Sequence, residues 1–176
     1  VGAVEEGYRR QGEILLEGGV DLFFIETMYD MEEACVALRA LRSLSDGVPI
    51  FATGTFGRSP RGFFTMMGNT PEVMLVRLVE GGADAVGANC TLGSADMVDL
   101  ARVLVAAVDV PVIAQANAGQ PRLEGGVAHY DQDPAPFAAD VLSMVEAGVR
   151  VVGGCCGTTP AFISAIRKAL GGRVKG

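Results

Sequence analysis

One seven-residue pattern occurs three times in the chain and constrains its fold more than any other feature. It reads Leu-Leu-Glu-Gly-Gly-Val-Asp at 15–21, Leu-Val-Glu-Gly-Gly-Ala-Asp at 78–84 and Met-Val-Glu-Ala-Gly-Val-Arg at 144–150. A glycine near the end of each copy suits the left-handed backbone in which helices commonly end. An apolar run follows each copy, so the pattern predicts three junctions between a helix and a buried strand.

The rest of the chain extends this alternation of helices and strands. Two further strands begin at Val-Pro dipeptides, so that strands are predicted at 22–25, 48–56, 85–88, 110–117 and 151–153. Helical periodicity, often preceded by Thr-Pro or Asp-Pro, predicts helices at 5–17, 30–44, 71–80, 95–107, 135–147 and 160–170. Apolar strands that alternate with helices predict a parallel sheet buried on both faces.

This order predicts an α/β fold with five parallel strands, each followed by a helix. Five strands are too few to close a (β/α)8 TIM barrel, so we expect a partial barrel that corresponds to strands 4–8. An open, doubly wound sheet is the alternative. No linker or low-complexity segment interrupts the chain, which is therefore expected to form one domain over residues 1–176.

Composition and charge narrow the range of functions. The chain has 176 residues, 49% of them hydrophobic, and a formal net charge of −7, which disfavours nucleic acid as a partner. No apolar run approaches the roughly 18 residues of a membrane helix. Residues 1–12 are polar and charged, so no signal peptide is expected. Four cysteines without a secretory segment favour a reducing compartment, and we expect a cytoplasmic protein.

Three of the four cysteines follow apolar runs. Cys90 ends the run at 84–90, and the adjacent Cys155 and Cys156 follow the run that begins at Val151. Neighbouring cysteines rarely form a disulfide with each other, because the ring that they would close is strained. Seven residues separate the glycine of each repeat from Glu26, Asn89 and Cys155, respectively. These positions end alternate strands, so one layer of a barrel would hold them together.

Three cysteines in such a layer predict a thiolate metal site. Three thiolates on Zn²⁺ leave one tetrahedral position open for a substrate, as catalytic zinc requires. A thiol-rich site suits alkylation of a thiol better than activation of water. Two other interpretations remain open: the cysteines are buried small hydrophobic residues, or a fourth protein ligand closes a structural zinc site.

Four segments carry a resemblance to a known family. They are Phe-Ile-Glu-Thr at 24–27, Gly-Ala-Asn-Cys-Thr-Leu-Gly at 87–93, Asn-Ala-Gly at 117–119 and Gly-Gly-Cys-Cys-Gly-Thr-Thr-Pro at 153–160. The chain resembles the homocysteine S-methyltransferase family, which includes the homocysteine domain of cobalamin-dependent methionine synthase and betaine–homocysteine methyltransferase. The resemblance implies a C-terminal portion of the family's barrel, without its N-terminal strands.

The resemblance also implies site residues. It implies that Cys90, Cys155 and Cys156 bind a zinc ion that activates the thiol of homocysteine. Glu26 would pair with the amino group of the substrate, with Thr27 as a weaker candidate beside it. Asn117 would lie at or beside the open zinc position. The plain structural alternatives are an acid at a helix start, a helix cap and a turn asparagine, respectively.

The implied activity is zinc-dependent transfer of a methyl group to homocysteine, which gives methionine. The methyl donor stays open between methyl-cobalamin recharged from a methylated folate, a sulfonium compound and betaine. Cobalamin and methyl-folate would be carried by other domains or chains, with a corrinoid protein or domain as partner. The alternatives are a different thiol or selenol acceptor, and a non-catalytic partial barrel with structural zinc.

Three other residues are placed outside the ligand set. Cys35 shares a helical face with Met31 and Leu38, so we expect it to fill core space. His129 is the one histidine of the chain and is expected to be a solvated loop residue. Asn89 is expected to brace the site or to have a plain structural role.

Overall fold

The computed structural model describes residues 2–171, which form an α/β fold. Its helices are α1 Gly2–Glu17, α2 Met31–Arg42, α3 Pro71–Glu80, α4 Ser94–Ala107, α5 Pro134–Ala147 and α6 Pro160–Leu170. Its strands are β1 Phe23–Met28, β2 Ile50–Gly54, β3 Gly57–Ser59, β4 Gly62–Phe64, β5 Ala85–Gly93, β6 Val112–Asn117, β7 Arg122–Glu124, β8 Val127–His129 and β9 Val151–Gly154.

The main sheet contains five strands in the order β1-β2-β5-β6-β9, and all neighbours are parallel. The spatial order follows the order in the chain without a reversal. A doubly wound sheet reverses its order at a switch point, so that alternative is wrong for the described residues. The sheet is therefore a section of a singly wound barrel, as predicted from the repeat.

The core lies between one face of the sheet and the helices. Alternate strand residues, such as Ile50, Val86 and Ala114, are fully buried in one cluster with residues of the helices. The other face carries the intervening side chains. On that face Phe24 is 36% exposed and meets Phe51 edge to face at 6.0 Å. Within residues 2–171 the second face of the edge strand is therefore open, not buried as the apolar runs suggested.

Local sequence explains where the elements start and stop. The repeat glycines Gly19, Gly82 and Gly148 have φ values of 80°, 95° and 118°, which confirms the predicted left-handed junctions. Helix α3 begins at Pro71, and the Thr70 hydroxyl accepts a bond from the Val73 N–H at 3.4 Å. These junctions place the carboxyl ends of the five parallel strands at one edge of the sheet.

Two antiparallel hairpins follow parallel strands at that edge. Strands β3 and β4 pair after β2, and β7 pairs with β8 after β6. The strand predicted at 48–56 therefore ends at Gly54, and the loop predicted before α5 contains a hairpin. His129 lies in β8 and is exposed, as expected. Among the described residues, no helix combines the length and apolarity needed to span a bilayer.

Gly87 marks the closest approach between two strands. A Cβ atom at this position would lie 1.9 Å from the backbone oxygen of Ile113, its register partner in β6. The contact is with backbone in the middle of a buried sheet, so it cannot be relieved by a side-chain rotation. Only glycine therefore fits between β5 and β6 at this point.

Gly87→Ala is expected to lower the free energy of unfolding by about 3 kcal/mol or more, because the strands must separate to admit the methyl group. Urea denaturation followed by circular dichroism measures this change. Gly7→Ala is the matched control, since its added Cβ would meet no atom within 4 Å in α1. It should be neutral or stabilise by up to ~1 kcal/mol, and equal stabilities of the two variants would contradict the close approach.

Candidate metal centre

The carboxyl ends of β5 and β9 bring three cysteines together. The sulfur atoms of Cys90, Cys155 and Cys156 all lie within 4.8 Å of one another. The Cys90–Cys156 separation is 3.7 Å and the Cys155–Cys156 separation is 4.0 Å. Tetrahedral zinc with bonds of about 2.3 Å requires sulfurs about 3.8 Å apart. Two of the three separations match this value and the third is at most 4.8 Å, so the cluster is close to the arrangement of three ligands on one tetrahedral ion.

Left-handed backbone conformations orient the residues of this site. Among residues 2–171, the non-glycine residues with positive φ are Thr27, Cys90 and Thr91, at 63°, 66° and 60°. The register shifts at the same points, between Ile25 and Met28 in β1 and between Asn89 and Gly93 in β5. Such irregularities turn a side chain away from its regular alternation and concentrate at functional sites. They direct Cys90 towards the sulfurs that follow β9.

The Asn89 amide connects three strand ends with the cysteines. Its Oδ1 accepts the Thr27 N–H at 2.9 Å and the Thr53 hydroxyl at 2.8 Å, and its Nδ2 donates to the Thr27 hydroxyl at 2.7 Å. The same Nδ2 lies 3.8 Å from the Cys155 sulfur. Asn89 is only 1% exposed, so these bonds are made away from bulk water. Of the two roles left open for Asn89, these side-chain bonds fit the bracing of the site.

Backbone and amide bonds also hold the cysteine pair. The Cys155 N–H donates to the Ala116 carbonyl at 2.7 Å, and the Cys156 carbonyl accepts the Ala118 N–H at 2.9 Å. Asn117 lies between these two partners, and its Oδ1 accepts the Cys156 N–H at 3.0 Å. The structure therefore places Asn117 beside the cluster, where it supports the loop that carries Cys156.

Without a cation, the electrostatics of the cluster keep the Cys155 thiol neutral. Burial, followed by the nearby Cys90 and Cys156 thiols, raises the pKa of the Cys155 thiol to about 12. Three ionised thiols at these distances would repel one another, and a divalent ion is what reverses that balance. Sulfur donors select soft or borderline metals such as zinc. Cys156 is exposed, so the cluster is accessible from solvent on its side.

The two residues predicted from β1 have different surroundings. The Thr27 N–H and hydroxyl are both engaged by Asn89, so Thr27 braces the site. Glu26 is exposed, and its carboxylate is outside the group formed by the three sulfurs. It lines a cavity of about 240 Å³ at the edge of the sheet, together with Tyr8 and Phe24.

The fourth cysteine is separate from this cluster. Cys35 is half-buried against the core, which agrees with a packing role, and burial raises the pKa of its thiol. It lines a groove of about 490 Å³ together with Arg39 and Arg77. No metal-binding group forms around it among the described residues.

Sequence reasoning missed Tyr130 as a site residue. Tyr130 follows the β7–β8 hairpin and is half-buried. Burial, and next the adjacent Cys156 thiol, raises the pKa of its hydroxyl. Its position 26 residues before Cys156 in the chain carries no motif. The contact arises only from the path of the loop between β6 and α5.

Comparison with known proteins identifies a family and two related sequences. The family model described as homocysteine S-methyltransferase matches residues 1–170. The methionine synthases of Mycobacterium tuberculosis and Mycobacterium leprae are each 30% identical over 95% of this chain. The chain spans only 14% of the length of either relative.

A similar fold occurs in a solved structure. The apo form of MmuM, a homocysteine methyltransferase from Escherichia coli, matches with a TM-score of 0.74 and 24% identity. The match covers 95% of this chain and 56% of that protein. A metallated form of MmuM matches with a TM-score of 0.70 over 93% of this chain. At this level of identity the likeness concerns the fold alone.

Asn89→Ala is expected to lower the free energy of unfolding by about 2–3 kcal/mol, because it leaves the buried Thr53 hydroxyl and the half-buried Thr27 N–H without their partner. Urea denaturation of the metal-free protein measures the loss. Asn69→Ala is the control: its side chain makes only a weak contact, with the Thr65 hydroxyl at 3.5 Å. The control should change stability by less than ~0.5 kcal/mol, and an equally small effect of Asn89→Ala would show that the amide does not hold the strand ends.

Proposed function

Because the chain belongs to the homocysteine S-methyltransferase family, we propose that Cys90, Cys155 and Cys156 hold Zn²⁺ and that the site transfers a methyl group to the thiol of homocysteine. The product would be methionine. The observation that carries this proposal is the convergence of three sulfurs within 4.8 Å of one another, with an accessible side at Cys156. A fourth sulfur, from the substrate, would complete a tetrahedral set.

The donor set suits this chemistry. When bound, Zn²⁺ supplies the positive charge that keeps a substrate thiol deprotonated at neutral pH. Three cysteine thiolates more than neutralise a divalent ion, so they leave the substrate sulfur electron-rich. The substrate sulfur would attack the methyl carbon, and the bond between the methyl group and its donor would break with the electron pair leaving on the donor. The thiol proton goes to solvent.

Residues around the cluster would position the substrate. We assign Glu26 to the ammonium group of homocysteine, since it is the acidic residue at the carboxyl end of β1. Asn117 would support the cysteine loop directly, and Thr27 would support the site through Asn89. Their observed bonds to the Cys156 N–H and to Asn89 make them positioning residues in this proposal.

The methyl donor would come from outside this part of the fold. We propose that the chain forms the C-terminal portion of a homocysteine-binding barrel, with other strands covering the open face of β1. A corrinoid protein or domain, with cobalamin and methyl-folate, is one source of the methyl group. A sulfonium compound or betaine is the other. The proposed setting is the cytoplasm.

The metal assignment is tested by zinc content after purification. We expect wild-type protein to bind a single Zn²⁺, with three of its four thiols protected from a thiol reagent. Cys155→Ala should weaken zinc binding by more than the ~10–100-fold typical of losing an outer-shell partner, because it removes a ligand. Cys35→Ala is the matched control and should retain the metal. Full zinc retention by the Cys155 variant would rule out this ligand set.

The substrate assignment is tested with the same protein loaded with Co²⁺, whose visible spectrum reports its ligands. Homocysteine should change the spectrum, because a fourth sulfur joins the site, whereas homoserine, which has a hydroxyl in place of the thiol, should not. Methionine formation is then measured with methyl-cobalamin, S-methylmethionine and betaine as donors. Identical spectra with the two amino acids would contradict thiol activation at this site.

A further inference from the structure

One short loop contacts both segments that carry the cysteines. The loop comprises residues 117–120 and follows β6, which lies between β5 and β9 in the sheet. On the β9 side, the Asn117 Oδ1 accepts the Cys156 N–H at 3.0 Å. On the β5 side, the Gln120 Nε2 donates to the Thr91 carbonyl at 2.9 Å. The loop therefore bridges the two halves of the cysteine cluster.

The bond from Gln120 falls at the least regular part of β5. Cys90 and Thr91 are consecutive residues with left-handed φ values of 66° and 60°, and neither is a glycine. The register with β6 shifts between Asn89 and Gly93, so regular pairing does not extend over the residues between them. A strained backbone persists only where the surrounding structure holds it in place. Gln120 supplies such a contact from outside the ladder.

A close approach between two glycines lets the loop lie against β5. A Cβ atom at Gly93 would lie 3.3 Å from the Cα atom of Gly119. Gly119 itself has a φ of 88°, in the left-handed region that favours glycine. The chain turns at this point, and the next side chain reaches back to a carbonyl 29 residues earlier in the sequence. Gln120 is exposed, so its amide reaches the Thr91 carbonyl from the solvent side.

We infer that Gln120 is a positioning residue, which holds the left-handed turn at Cys90 and Thr91 and thereby presets the Cys90 sulfur for a metal ion. The inference rests on the proposed function for its consequence at the metal. Asn89 fixes the start of the irregular segment through its side-chain bonds, and Gln120 fixes the segment beyond Cys90. A ligand that is already held near its bound position loses less conformational freedom on binding. Outer groups that orient metal ligands therefore raise the affinity for the ion.

Gln120→Met tests this role, because it keeps the length and neutrality of the side chain and removes the amide donor. Competition with a chelator should show zinc affinity weakened about tenfold. In a Thr91→Gly background the same substitution should weaken it by about threefold or less, since glycine adopts left-handed backbone without strain. Gln11→Met is the matched control, since Gln11 is exposed on α1 and belongs to a different part of the fold.

Hydrogen–deuterium exchange of the metal-free protein gives a second readout that does not depend on zinc. Gln120→Met should speed exchange in peptides that contain residues 90–93, because the turn loses the bond that holds it, and Gln11→Met should leave these peptides unchanged. Equal exchange in Gln120→Met and wild-type protein would overturn the inference.

The outcomes separate this inference from the proposed function. If wild-type protein binds zinc and Gln120→Met binds it equally well, the inference is wrong and the metal site stands. An equal loss of affinity in the wild-type and Thr91→Gly backgrounds would show that Gln120 does not act through the left-handed turn, which also overturns the inference. If wild-type protein binds no zinc, the proposed function fails, and the exchange rates alone decide whether Gln120 holds the turn.

Discussion

The hydrogen bonds of one buried amide, that of Asn89, are the interaction on which the geometry of the site depends. Parallel strands end at the same edge of a sheet, but nothing in a regular ladder makes their last residues face one another. Asn89 brings the strand ends together, because its amide joins the irregular end of β1 to β2 and to the Cys155 sulfur. Because the amide is 1% exposed, any partner that it loses stays buried and unpaired. The fold and the site therefore share the same few bonds.

Strain and support are balanced at this edge. Thr27 and Cys90 hold left-handed backbone at the points where their strands change register. This conformation costs a residue other than glycine about 1–2 kcal/mol, because its Cβ atom crowds the backbone. The surrounding bonds offset that cost and make the bulges part of the native structure. The result is a set of sulfurs already near ligand spacing, so that metal binding would need little rearrangement.

Much of the fold follows from sequence because its signals are local. The repeat glycines mark helix ends through a backbone conformation that glycine favours, and Pro71 marks a helix start through its fixed φ. The grouping of Cys90 with Cys155 follows from one rule, that parallel strands in register end together. The doubly wound alternative could be set aside only when the spatial order of strands was seen.

The remaining features depend on contacts that no local pattern encodes. The bulge at Cys90 occurs without a glycine, so the residue gives no sign of its positive φ. The hairpins are built from three-residue strands, which are too short for a periodic pattern. Tyr130 comes close to the cysteine pair only through the path of the loop between β6 and α5, which carries no sequence motif. The role of Glu26 and the identity of the metal stay predictions, since one depends on a bound substrate and the other on a bound ion.

The long sequence separation between the cysteines means that a bound ion would connect distant parts of the chain. Cys90 and Cys156 are 66 residues apart, and strand β6 lies between the two strands that carry them. An ion held by both ends would act as a removable cross-link that closes a long loop over a central strand. Such a link restricts the unfolded chain most when the loop is long. Metal occupancy would then set how firmly the last third of the chain is tied to the middle.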